Sequence, residues 1–329
     1  MNCMMLVAQG QPLVAKTVAM PVPGHGQVLL KIIACGVCRT DLHVADGDLT
    51  LPKLPLIPGH EITGIIAKTG PGTSLHKTGD LVGIPWLGYT CGKCKYCLKG
   101  KENLCSHALF TGYTIDGGYA GYTVAFEQFC FPLTQKFTNP SMAPLLCAGL
   151  IGYRSWNMIG SDAVNIGFYG FGAAASILIQ IARSQGKKVF AFSRPGDNES
   201  QNMAKRLGAH WSGDSSQASP VPLDAAILFA PAGELVPKAL SDIDKGGRVI
   251  CAGIHMSEIP SFPYSLLWEE RTIQSVANLT REDAAGFFST IATIPVHTET
   301  KLYPLHEANT ALNDLRKGAI HGAAVLVMD

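Results

Sequence analysis

The run AVNIGFYGFGAAASILIQIARSQG (163–186), followed at once by KKVFAFSR (187–194), decides how the second half of this chain folds. AVNIGFYG is a continuous apolar stretch and reads as a buried strand. ASILIQIARSQG (175–186) sets Ile177, Leu178, Ile181 and Ala182 at helical spacing. KKVFAFSR reads as a second strand. Between the first strand and the helix stands Gly170-Phe171-Gly172-Ala173-Ala174-Ala175, the G-x-G-x-x-A form of the dinucleotide-binding turn. In that reading Gly170 makes the tight turn and Gly172 lets the backbone approach a pyrophosphate at the positive end of the helix. Ala175 keeps the helix close to the strand. A lone match would carry little weight; the strand–loop–helix–strand context gives it meaning.

The end of the second strand bears on the nucleotide. NAD sites usually place Asp or Glu there for the ribose hydroxyls, whereas NADP sites need a cation and a small polar group for the 2′-phosphate. Here stand Ser193 and Arg194, with Asp197 following Pro195-Gly196. The charge argument favours NADP(H). NAD(H), held by a displaced Asp197, is the alternative.

Outward from this unit, QNMAKRLGAHW (201–211) reads as a helix ending near Gly208, and LDAAILFAP (223–231) as a third strand. LVPKALSDID is a short helix, and GGRVICAGI (246–254) and TIQSVAN (272–278) are further strands. Strands alternating with helices predict an α/β region with a doubly wound parallel sheet over 149–277. Residues 1–148 differ in character. VLLKIIACGV (28–37), GIIAKTG (64–70), TGDLVGIP (78–85) and GGYAGYTVAF (117–126) are short strands between Gly and Pro turns, which predicts a β-rich, barrel-like domain. The chain after 278 is mixed and closes with a helix at 306–318 and a strand at 323–329. The expected organisation is therefore one β-rich domain from 1–148 and 278–329, with a nucleotide domain inserted at 149–277. A length of 329 residues suits two domains.

Composition narrows the function classes. Lys and Arg number 26 against 25 Asp and Glu, which argues against a coat for nucleic acid or an acidic membrane. The longest apolar run falls short of the roughly 18 residues of a membrane span, and the first residues lack the layout of a secretory signal. The expectation is a cytoplasmic protein with no membrane or nucleic-acid partner. Ten cysteines in a reducing compartment point to metal or catalysis rather than disulfides.

Four of them, Cys91, Cys94, Cys97 and Cys105, form CGKCKYCLKGKENLC. Such spacing suits a tetrahedral ion in a closed thiolate shell, zinc first, with an iron–sulfur cluster as a second use of the same donors. A full shell leaves no open position, so this site is structural. A second set is scattered: Cys38 in CRTDLH (38–43), His60 and Glu61 in PGHEITG (58–64), and Cys147 in PLLCAGL (144–150). Two thiolates and an imidazole make a catalytic zinc set with a fourth position open, and Glu61 adds a carboxylate beside it. Taken singly, Cys147 serves equally as a small core residue and His60 as a turn histidine. Spacing alone does not select Cys38 over Cys35.

Together these motifs resemble the zinc-dependent alcohol dehydrogenases of the medium-chain dehydrogenase/reductase family, in the family's order and over essentially the whole chain. The resemblance implies a GroES-like catalytic domain, a Rossmann domain, two zinc ions per chain and an alcohol, aldehyde or ketone as substrate. It implies that Cys38, His60 and Cys147 hold the catalytic zinc, with Asp41 orienting the histidine. Thr40 takes the place of the hydroxyl that holds the alcohol oxygen, and His43 that of the outer end of a proton relay. Arg281, in NLTRED, matches an arginine near the cofactor pyrophosphate, and Trp86 lines the substrate pocket. Ile151 departs from the family's usual threonine. Family members are dimers or tetramers, so a homo-oligomer is implied. A zinc-free quinone or enone reductase on the same fold would have no use for Cys38, His60 and Cys147. A nucleotide-binding sensor would have none for the Thr40–His43–Glu61 set.

Overall fold

The computed structural model describes residues 1–320 and 322–328. The chain divides into two units. The first comprises Met1–Cys147, Asn278–Phe288 and the chain from Thr298 on; the second comprises Ala148–Ala277 and Ser289–His297. The segment 289–297, which the sequence reading left with the β-rich region, thus groups with the nucleotide-type unit. The reason is a helix, Arg281–Thr293, whose continuation Gln180 fixes through bonds to the backbone of His297.

The first unit is organised by one long strand, Gln27–Val37. Its sequence QVLLKIIACGV is buried on both faces except near Lys31, so it runs through the middle of a sheet. Along one edge it pairs antiparallel with Glu61–Thr69, with Cys35 opposite Ile62 and Gly36 opposite Glu61. The other edge is shared between Tyr122–Phe126 and Ala323–Val327. Leu81–Ile84, Phe131–Pro132 and Thr300–Pro304 complete a seven-stranded sheet. Register shifts at Leu29/Leu30 and Ile32/Ala34 add the twist that curls it. Leu30, Ile32, Ile62, Ile66, Val82, Tyr119 and Leu326 fill the interior.

The second unit is a six-stranded parallel sheet in the spatial order Trp211–Asp214, Lys188–Ser193, Asn165–Tyr169, Leu223–Leu228, Ile243–Cys251, Thr272–Ser275. In chain order this is 3-2-1-4-5-6, the dinucleotide-binding topology, and its order reverses between Asn165–Tyr169 and Leu223–Leu228. Ala173–Ser184, Asn198–Leu207 and Leu235–Asp242 are crossover helices. The expected helix in 201–211 ends near Gly208, as read, and begins three residues earlier, at Asn198. It stops at Leu207, where Gly208 takes φ +93°, and Trp211–Asp214 becomes the outermost strand. Among the described residues no helix is long and apolar enough to cross a membrane.

Candidate metal centres and nucleotide turn

Cys91, Cys94, Cys97 and Cys105 converge, their sulfurs all within 4.8 Å of one another. Sulfur–sulfur separations are 3.5 Å for Cys94–Cys97, 3.6 Å for Cys91–Cys105 and 4.0 Å for Cys91–Cys97. A tetrahedral zinc with Zn–S near 2.3 Å demands about 3.8 Å. Backbone N–H groups of Cys91, Cys97 and His107 point at these sulfurs, and Gly92 and Gly100 take φ of +68° and +66° to turn the chain around them. Hydrogen bonds from the backbone, led by Lys93, pull the Cys91 thiol down to about 6. All ten cysteines are free.

Glu102, inside this lobe, is buried and accepts from both the backbone N–H of Arg281 (2.9 Å) and its guanidinium Nε (3.1 Å). Arg281 also lies over the Phe129 ring, 5.6 Å from its centroid. The family resemblance implies a place for Arg281 near a pyrophosphate; the structure adds that its Nε is committed to Glu102 of the four-cysteine lobe.

The scattered set also comes together. Cys38, His60, Glu61 and Cys147 each offer a donor atom, all within 4.8 Å of one another. Cys38 ends the long strand's run and caps the helix Arg39–Asp46, an element the sequence reading did not resolve. Asp41 in its first turn accepts from the Cys38 backbone N–H at 2.9 Å. The other Asp41 oxygen lies 3.4 Å from His60 Nδ1, close enough for an ion-pair contact but not aligned as a hydrogen bond. One carboxylate therefore braces both Cys38 and His60, whose Sγ and Nε2 stand 3.2 Å apart.

Glu61 follows His60 into the strand and turns inward opposite Gly36. A Cβ on Gly36 would lie 1.7 Å from Glu61 Oε2. That buried oxygen has no hydrogen-bond partner among the described residues. As bare side chains these groups oppose one another's charge. The bond shared with Cys147 and burial push the Cys38 thiol well up, and burial, then the Cys38 charge, push the Glu61 carboxyl well above its usual range. Burial alone would lower His60, but Cys38 and Asp41 hold it well above the usual histidine range. A divalent cation inverts that logic, so the donor set fits zinc.

Thr40 is buried on the first turn after Cys38. His43, on the next turn, has Nδ1 2.8 Å from Asp48 Oδ2, a partner the sequence reading missed. Trp86 meets His60 edge-on at 4.8 Å and stacks on Phe110 and Tyr113 at 5.4 and 5.6 Å. It forms one slab of an aromatic wall beside the metal donors.

In the second unit Gly170 takes φ +92°, and a Cβ there would stand 2.8 Å from Ala230 N, so the turn admits only glycine. Gly172 caps the helix Ala173–Ser184, and nothing lies within 4 Å of where its Cβ would be. That open approach to a helix N-terminus suits a pyrophosphate. Ala175 is fully buried against the sheet. Ser193 is buried at the end of its strand and Arg194 is exposed. Asp197 caps the helix Asn198–Leu207 by accepting from Ser200 N.

A GroES-like β unit with two converged donor sets and a 3-2-1-4-5-6 nucleotide unit in one chain define a zinc-binding dehydrogenase class. Residues 24–135 match the alcohol dehydrogenase GroES-like domain. The chain is 43% identical over 326 residues to the probable alcohol dehydrogenase AdhA of Mycobacterium tuberculosis, covering 96% of this chain and 93% of that one. It is 36% identical to an alcohol dehydrogenase of Geobacillus stearothermophilus, covering 97% of each. Acetophenone reductase from Geotrichum candidum, solved in complex with NAD, superposes with a TM-score of 0.88 at 27% identity, covering 99% of this chain and 97% of that chain. The chain belongs to the medium-chain alcohol dehydrogenase family and is an NAD(P)-linked oxidoreductase.

Proposed function

We propose that this alcohol dehydrogenase carries two zinc ions, a catalytic one on Cys38, His60 and Cys147 and a structural one on Cys91, Cys94, Cys97 and Cys105. The observation that carries the reading is the convergence of Cys38, His60, Glu61 and Cys147 within 4.8 Å. Zinc there would polarise the oxygen of an alcohol or carbonyl, and the nicotinamide would exchange the hydride. The chain's own residues do the rest. Asp41 holds Cys38 and His60 in place. Thr40 hydrogen-bonds the substrate hydroxyl and takes its proton. His43, fixed through Nδ1 by Asp48, passes that proton outward. Glu61 stands behind the donors as a carboxylate able to adjust their charge. Trp86, backed by Phe110 and Tyr113, offers a flat wall that suits small or flat alcohols and aldehydes.

Gly170, Gly172 and Ala175 seat the pyrophosphate, and the family resemblance assigns Arg281 to the same group. Ser193 and Arg194 receive the adenosine ribose, with Arg194 favouring the 2′-phosphate of NADP(H) over NAD(H). The free cysteines suit a reducing cytoplasm, and the family resemblance points to a dimer or tetramer. The test is metal content with activity. The wild type is expected to hold two zinc ions per chain and Cys38→Ser one, with turnover of a broad alcohol and aldehyde panel reduced at least a hundredfold. A Cys38→Ser protein with unchanged zinc and full activity would overturn the assignment.

A further inference from the structure

The sequence shows no acid at the end of the strand Lys188–Ser193. The structure brings one there from the neighbouring strand. Ser193 and Asp214 are register partners at the carboxyl ends of the two outer strands, the end of a doubly wound sheet where ligands bind. Asp214 Oδ1 accepts from the backbone N–H of Gly196 at 3.3 Å and from Gln201 Nε2 at 2.8 Å. The same Gln201 nitrogen donates to Ser193 Oγ at 3.2 Å. The Asp214 carboxylate is thereby fixed against the turn 194–197, which carries Arg194. Among the described residues no basic side chain pairs with Asp214, and none of the carboxylates pairs with Arg194. Asp214 thus sets an uncompensated negative charge, pinned by two hydrogen bonds, against a turn that carries the exposed Arg194 and the helix cap Asp197.

We propose that Asp214 is a specificity-determining residue of the nucleotide site, repelling a 2′-phosphate and so opposing the preference for NADP(H) that Arg194 creates. The proposal rests on the reading of 170–175 as the pyrophosphate turn. A carboxylate held by Gly196 and Gln201 cannot swing away from an arriving phosphate dianion. The ribose hydroxyls of NAD(H) carry no charge and feel little of it. Such a repulsion is screened by salt, whereas packing or hydrogen-bond effects are not.

Asp214→Asn isolates the charge, because the amide oxygen still accepts from Gly196 and Gln201. Dissociation constants for NADPH and NADH are measured by nicotinamide fluorescence titration at low and high salt. At low ionic strength the NADPH constant is expected to fall about three- to tenfold and the NADH constant to change less than about twofold, with the difference shrinking in high salt. Arg194→Ala is expected to move NADPH the other way and leave NADH in place. Equal effects on both nucleotides, no effect, or weaker NADPH binding in Asp214→Asn overturns the proposal. Gly172→Val separates this from the reading beneath it, since a Cβ at 172 would stand in open space. If Gly172→Val abolishes binding while Asp214→Asn is silent, only the role of Asp214 falls. If Gly172→Val leaves both constants unchanged, the pyrophosphate turn falls and the proposal with it.

Discussion

Gly36 sits in extended strand, a conformation open to any residue; what demands glycine is the Glu61 carboxylate that occupies the space of its missing side chain. Gly36→Ala drives a methyl into that carboxylate. The backbone on which Glu61 and its neighbour His60 are strung must then give. Overpacking of this kind costs about 1–3 kcal/mol. The variant is expected to melt lower and to retain only the metal of the four-cysteine lobe, by calorimetry and metal analysis. Wild-type melting with two metals would show that the carboxylate has other room. The same corner explains what the sequence left open about its cysteines. Cys35 alternates into the core, where its sulfur lies beneath Gly59 and beside Gly118, and it is fully buried. Cys38 comes after the strand, at the start of a helix, and faces His60. The strand's end at Val37 was legible, but the helix that turns Cys38 toward His60 was not, so the sequence alone did not choose between the two cysteines.

At the scale of elements, the strongly patterned pieces were legible and the short or polar ones were not. The fingerprint strand and helix stand within two residues of their expected bounds, because both bury an unbroken apolar face. Trp211–Asp214 reads WSGD, with no alternation to betray an edge strand. Arg39–Asp46 is eight residues with a polar first turn. The helix Arg281–Thr293 did carry a signal: Thr280 and Asp283 bond reciprocally, Asp283 N to Thr280 Oγ1 at 3.1 Å and Thr280 N to Asp283 Oδ2 at 2.8 Å, and the sequence TRED spells that cap. Its first N–H is held by Glu102. Burial would raise the Glu102 carboxyl, but the backbone N–H and guanidinium of Arg281 win and hold it below 4.5. A carboxylate with a depressed folded-state value stabilises the protein at pH above its unfolded value and loses that contribution as pH falls through the folded one. Glu102→Gln is therefore expected to be less stable than wild type by about 1–2 kcal/mol near neutrality, a range discounted for the half-exposed guanidinium. The gap should close as the pH falls below about 4. Chemical denaturation at a series of pH values checks this, and a gap that widens in acid would show that Glu102 is buried protonated.

For the molecule as a whole, the proposed zinc of the four-cysteine lobe would act as a fastener. Cys91→Ser is expected to shed about one zinc per chain and lower the melting temperature by several degrees, because metal binding and local folding are one equilibrium. Unchanged melting and metal content would show that the lobe holds no ion. The lobe's converged thiols, unlike the scattered set, could be read from spacing alone, because all four cysteines lie within fifteen consecutive residues. The three scattered donors come from a helix cap, a strand entrance and a stretch more than eighty residues further along the chain, and only the tertiary fold unites them. The β-rich unit, in turn, draws on both ends of the chain: Ala34 in the central strand pairs with Val327. During synthesis the long strand emerges early and must wait, with half of one edge bare, until residues 323–327 have left the ribosome. The parallel sheet, made from a continuous run, is complete well before. A bare strand edge in a growing chain is a template for aggregation, so the dangerous interval in this protein's production is set by its own topology. Slowing translation over residues 280–320 should lower soluble yield, whereas the same delay within the first 30 residues, before the long strand has left the ribosome, should not.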